Sequence, residues 1–120
     1  MTRSTMLLLS NDSEVLITIA GAARAAGYVV TPGRYHENGV DSLIRVQPDL
    51  AVVDVTHDAA DSIAFGGLAQ SRGTRVVLFA DTRGAPEARA RIALISARSP
   101  FPVLEYGGDA ADLVARLQDD

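Results

Sequence analysis

Apolar and polar residues follow one another along this chain in short blocks, and the blocks change period from one to the next. Met6-Leu7-Leu8-Leu9 is an unbroken apolar run of the kind made by a strand buried on both faces. Behind it, Val15, Leu16, Ile19, Ala20 and Ala23 recur at helical spacing and predict a first helix. Asn11 is placed to cap that helix, with Glu14 three residues on completing a capping box, and Gly27 is placed to end it. Tyr28-Val29-Val30-Thr31 predicts a second strand, and residues 32–39 a polar loop. Val40, Leu43 and Ile44 predict a short second helix stopped by Pro48. Leu50-Ala51-Val52-Val53-Asp54-Val55 is the third strand and the most apolar, with an aspartate near its end. Ile63, Phe65, Leu68 and Ala69 mark a third helix closed near Gly73, and Arg75–Ala80 is a fourth strand. Pro86 suits the first turn of a fourth helix carrying Ile92, Leu94 and Ile95, which Pro100-Phe101-Pro102 ends. Val103–Tyr106 is the fifth strand, and Gly107-Gly108-Asp109 leads into a last helix with Leu113, Val114 and Leu117 facing inward.

Strands alternating with helices in this way predict an α/β architecture, a single five-stranded parallel sheet doubly wound by helices on both faces. Residues 1–120 are expected to form one domain, without internal repeat or linker. In open sheets of this kind, ligands sit beyond the carboxyl ends of the strands, near the switch in strand order. For the flavodoxin-like order 2-1-3-4-5, a (βα)5 arrangement, strands one and three flank that point. The expected mouth therefore holds Ser10, Asn11 and Asp12 after strand one, Asp54 at the end of strand three and Asp81 after strand four, with His57 and Asp58 on the next loop.

Composition narrows the chemistry. The net charge of −4 leaves no basic footprint for nucleic acid. The absence of cysteine removes disulfides, thiol nucleophiles and thiolate metal sites, and fits a reducing cytoplasm. Met6–Leu9 is far too short for a signal peptide or a membrane span. All 11 basic residues are arginine, so Schiff-base catalysis and a P-loop, which needs Gly-Lys, are excluded. Neither G-x-G-x-x-G after strand one nor a G-x-S-x-G elbow is present. Flavin binding would find no glycine, and an acid, in the first loop Ser10-Asn11-Asp12-Ser13.

Over essentially its full length the chain resembles the receiver domain of bacterial response regulators, the CheY-like modules of two-component signalling and phosphorelays. The resemblance is carried by Pro48-Asp49-Leu50-Ala51-Val52-Val53-Asp54, by Gly27-Tyr28 after the first helix and by Ser10-Asn11-Asp12 after the first strand. It implies that Asp54 corresponds to the phosphoryl acceptor. Receivers carry an acidic pair after strand one that holds Mg²⁺. Here Ser10 and Asn11 fall on that pair, and Asp12 comes one place later, or Asn11-Asp12 do after a one-residue slip. Asp12 and Asp54 are thus the metal candidates. Ala80 stands where receivers have Thr or Ser, Tyr106 stands where they have Lys, and His57-Asp58 replaces Met-Pro. Arg83 is the cation that could substitute for the lysine, although a planar fork is not interchangeable with an ammonium.

These departures lead to the expectation of a non-enzymatic, cytoplasmic pseudo-receiver. It would require no cofactor and act by protein–protein contact, independently of phosphorylation. The expected contact face, for a partner or a second copy, is helix four, strand five and helix five (Pro86–Ala97, Val103–Tyr106 and Asp109–Leu117), with no nucleic acid or membrane contact by this domain. Two alternatives stand beside it. One is a working receiver, modified on Asp54 with Mg²⁺ and using Arg83. The other is a small metal- or ligand-binding α/β module. At single residues, plainer roles compete: Asp54 as an internal hydrogen-bond acceptor, Asp12 as a helix cap, Asp81 as a turn residue, Arg89 and Arg91 as a solvated helix face, Tyr106 as a packing residue, and His36 and His57 as exposed loop residues.

Overall fold

The chain runs β1 (Thr5–Leu9), α1 (Ser13–Ala25), β2 (Val29–Gly33), α2 (Tyr35–Val46), β3 (Leu50–Asp54), α3 (Ala59–Ser71), β4 (Arg75–Asp81), α4 (Glu87–Arg98), β5 (Val103–Tyr106), α5 (Ala110–Asp119). The structure is a computed structural model and describes residues 4–56, 59–83 and 87–119. All strand pairs are parallel, and the sheet order is β2-β1-β3-β4-β5, the doubly wound arrangement anticipated above.

Alternate residues of each central strand face opposite sides, and each side has its own core. Met6, Leu8, Leu50, Val52, Val77 and Phe79 pack with Val15, Ile19 and Ala23 of α1 and Leu113, Val114 and Leu117 of α5. Leu7, Leu9, Ala51, Val53, Val76 and Leu78 pack with Leu43 of α2, Phe65 and Ala69 of α3 and Ile95 of α4. A strand covered on both faces has no position for a polar side chain, which is why β1, β3 and β4 read as continuous apolar runs.

The register places the site. Leu8 pairs with Val52 and Leu9 with Val53, so continuing one step beyond β1 sets Ser10 beside Asp54. On the other side of β3, Asp54 pairs with Phe79, and Asp81 pairs with Tyr106 across β4 and β5.

Local departures from the sequence reading have physical causes. The side-chain cap of α1 is Asp12 rather than Asn11: its Oδ1 accepts the amides of Glu14 and Val15. β2 extends through Pro32 and Gly33, which the sequence assigns to a loop. β2 is an edge strand, where a proline can sit because one side has no ladder to serve. α2 begins at Tyr35, inside the expected loop, and the side chain of its N-cap residue Arg34 makes no capping hydrogen bond. The helix therefore starts without a readable cap. It ends at Gln47, whose φ of 51° is left-handed. Of the apolar residues that mark α4 in the sequence, Leu94 is 63% exposed, and the buried residues of that helix are Ala88 and Ile95. Pro86, His57 and Asp58 lie outside the described residues, as does the side chain of His36.

Gly66 of α3 is a packing glycine. A Cβ there would lie 2.6 Å from Cε2 of Phe101, so the ring closes the α3 side of the core only because residue 66 has no side chain.

Candidate functional site

Asp12, Asp54 and Asp81 lie at the carboxyl edge of the sheet, and all three use the same local device. Asp12 Oδ1 accepts the amide of Glu14 at 3.0 Å, Asp54 Oδ1 the amide of Thr56 at 2.9 Å, and Asp81 Oδ1 the amide of Arg83 at 3.0 Å. Each carboxylate thus closes a turn onto the backbone two residues ahead, the common habit of aspartate at the end of an element. The expected acidic mouth is in this sense a set of separately satisfied turns.

Asp54 is held on both carboxylate oxygens. Its half-buried carboxylate accepts the Ser10 hydroxyl on Oδ2 at 2.8 Å. Oδ1 accepts both the amide and the hydroxyl of Thr56. The main-chain carbonyl of Asp54 accepts the buried hydroxyl of Ser62 at 3.2 Å. Ser10 Oγ in turn accepts the amide of Asp12 at 3.1 Å, and Thr56 Oγ1 accepts the amide of Asp81 at 3.0 Å. Both hydroxyls therefore donate to the carboxylate and accept from the backbone, which fixes their rotors and aligns their dipoles with the charge.

Arg83 is committed elsewhere. Its Nε and Nη2 grip Asp81 at 3.0 and 2.9 Å, and its guanidinium lies 5.1 Å from the centre of the Tyr106 ring. The hydrogen bond to Asp81 drives the guanidinium pKa further above its ordinary value, so the group is permanently charged. Tyr106 is buried and meets Phe79 edge-on at 6.3 Å, which makes it a core residue with Arg83 resting on its open face. Ala80 is buried on the opposite side of the sheet, with Leu78 and Ile95. Asn11 is exposed.

Mg²⁺ requires near-octahedral oxygen coordination and usually takes one or two carboxylates. Among the described residues no three His, Asp or Glu side chains form a group that could hold a metal ion. At position 10, a second carboxylate facing Asp54 would create the charge that a cation must neutralise, whereas the Ser10 hydroxyl neutralises nothing and donates a hydrogen bond. Among the described residues Asp54 therefore faces hydroxyl donors rather than a second carboxylate.

Spacing along the chain points to Ser10, Asp12, Asp54 and Asp81 but not to Thr56 or Ser62. The available signal for Thr56 was a hydroxyl residue two places after an aspartate at a strand end. Arg89 and Arg91 are exposed, yet both reach partners: Arg89 Nε meets Glu105 Oε1 at 3.1 Å, and Arg91 Nη1 donates to the Thr56 carbonyl at 3.1 Å. Thr82 donates its hydroxyl to the same Glu105 oxygen at 2.8 Å.

The fold has counterparts among solved structures. A response regulator from Thermotoga maritima superposes with a TM-score of 0.75 at 13% identity, covering 98% of this chain and 97% of that one. A putative response regulator from Chloroflexus aurantiacus gives 0.73 at 19% identity, covering 98% and 97%. The chemotaxis protein CheY4 of Vibrio cholerae gives 0.70 at 14% identity, covering 98% of each chain. The chain has the CheY-like receiver fold. No protein-family model and no curated protein matches it in sequence. No described helix is long and apolar enough to cross a membrane.

Proposed function

We propose that this chain is a receiver-like signalling domain that works by protein–protein contact and does not depend on phosphorylation of Asp54. The observation that carries this reading is the closure of the Asp54 carboxylate by two hydroxyls, Ser10 on one oxygen and Thr56 on the other. A phosphoryl group on either oxygen would displace a hydroxyl, and its added negative oxygens would need a cation. The chain has no lysine, and Arg83 would have to leave both Asp81 and the Tyr106 ring to serve. Asp54 is then an internal acceptor that holds the ends of β1 and β3 together, without Mg²⁺ and without catalysis.

The contact face in this reading is α4, β5 and α5, with the domain acting in the cytoplasm. On α4, Arg91, Leu94 and Arg98 fall on one exposed stripe, and Leu94 is among the most exposed large apolar side chains described. The Arg89–Glu105 pair holds that helix to β5. An exposed apolar residue between two arginines suits a partner that offers apolar and acidic groups.

The test is intact-mass measurement after incubation with acetyl phosphate and Mg²⁺. The reading expects the unmodified mass. Stoichiometric addition of one phosphoryl group, abolished by Asp54→Asn, would instead make this a working phospho-receiver.

A further inference from the structure

Thr56 touches three elements at once, the ends of two strands and the middle of a helix. Its amide and hydroxyl both go to Asp54 Oδ1 at the end of β3. Its hydroxyl oxygen accepts the amide of Asp81 at 3.0 Å, at the end of β4. Its carbonyl accepts Arg91 Nη1 at 3.1 Å, from the middle of α4. Asp54 and α4 are on separate parts of the chain, and among the described residues Asp54's own hydrogen bonds go to Ser10, Thr56 and Ser62. Thr56 is the residue through which they meet.

The covalent geometry makes this more than adjacency. Two donors of one residue converge on one carboxylate oxygen, so the carboxylate sets both the backbone orientation and the rotamer of Thr56. The next peptide plane carries the Thr56 carbonyl, one ψ torsion away from the held amide and side chain, and Arg91 holds its other end. A carbonyl that is aimed by Asp54 and read by Arg91 converts a change at the carboxylate into a change at α4. The same hydroxyl holds the Asp81 amide, and Asp81 grips Arg83, so the end of β4 moves with it.

We propose that Thr56 is the positioning residue that couples the Asp54 carboxylate to helix α4. The coupling holds whether or not Asp54 ever accepts a phosphoryl group, because it runs through hydrogen bonds to the carboxylate as it stands.

The test needs no phosphoryl donor, so its outcome is independent of the labelling experiment. Amide and arginine side-chain spectra are recorded for the wild type and for Thr56→Val, Thr56→Ser and Asp54→Ala. Thr56→Val keeps the shape and loses the hydroxyl. It should accelerate hydrogen exchange of the Asp81 amide and shift the Arg91 side chain and the α4 amides around it. Thr56→Ser should restore the wild-type α4 signals. Asp54→Ala should shift the same α4 resonances, and combining it with Thr56→Val should add nothing further there. Wild-type α4 signals in both Thr56→Val and Asp54→Ala, with changes confined to the strand ends, would overturn the proposal. If Asp54→Ala does not fold, the Val and Ser variants of Thr56 decide the matter alone.

Discussion

Ser10, one residue beyond the end of β1, donates its hydroxyl to the carboxylate of Asp54 at the end of the neighbouring β3 at 2.8 Å. The pair is neutral on one side and charged on the other. Removing the donor leaves a half-buried carboxylate oxygen to water alone, so Ser10→Ala should cost about 1–2 kcal/mol of stability. Ser10→Asp should cost more, through like-charge repulsion, and should make thermal stability dependent on Mg²⁺. Melting curves with and without millimolar Mg²⁺ check both. The wild type should melt at the same temperature in either buffer, and a Mg²⁺-stabilised wild type would contradict the account of this pair.

Tyr106 stands where the resemblance places a lysine, but its side chain is core. Tyr106→Lys should destabilise the fold by about 3 kcal/mol or more, because it empties the space against Phe79 and puts an ammonium into apolar surroundings. Urea denaturation measures the loss. The substitution should not confer labelling by acetyl phosphate, since Asp54 remains closed by Ser10 and Thr56.

Adjacent glycines of α3 should respond in opposite ways. A Cβ at Gly66 would meet the Phe101 ring at 2.6 Å, whereas nothing lies within 4 Å of one at Gly67. Gly66→Ala should cost about 1–3 kcal/mol through overpacking. Gly67→Ala should gain up to about 1 kcal/mol from helix propensity. Denaturation midpoints of the two single variants separate packing from propensity within one helix.

Glu105 gives the pH dependence. Its carboxyl is held below the ordinary glutamate range, first by the hydrogen bond from Thr82 and then by Arg89. A depressed folded-state pKa means that the contribution is fully present above the pKa of the unfolded glutamate and is lost as pH falls through the folded value. The group is exposed, so the effect on global stability is small. A carboxyl-detected NMR titration should show Glu105 titrating below free glutamate, with Thr82→Val and Arg89→Ala each raising it.

Most of the fold was legible because β1, β3 and β4 are covered on both faces and must be apolar throughout, while α1 and α5 carry clear inward stripes. α2 was read short because Arg34 supplies no capping side chain and residues 35–38 are polar. Pro32 hid the end of β2 because a proline is acceptable only at an edge, and edge status belongs to the tertiary arrangement. At the site, the losses of lysine and of a hydroxyl at position 80 could be read directly. What replaced them could not. The hydroxyls that close Asp54 come from Ser10, brought by strand register, and from Thr56, brought by a turn whose direction depends on the β4 amide it also binds. The acidic mouth looked like a charge cluster because one-dimensional spacing does not show that each aspartate accepts the amide two residues ahead of it.

The central claim is that the Asp54 pocket is closed and does not read a phosphoryl signal. Amide spectra recorded during titration with beryllofluoride and Mg²⁺, which together mimic a phosphoryl group on an aspartate, test it most directly. The account predicts unchanged resonances for Ser10, Asp54, Thr56 and Asp81 and for α4 at saturating reagent. Saturable shifts that start at Asp54 and spread through Thr56 to α4 would contradict it.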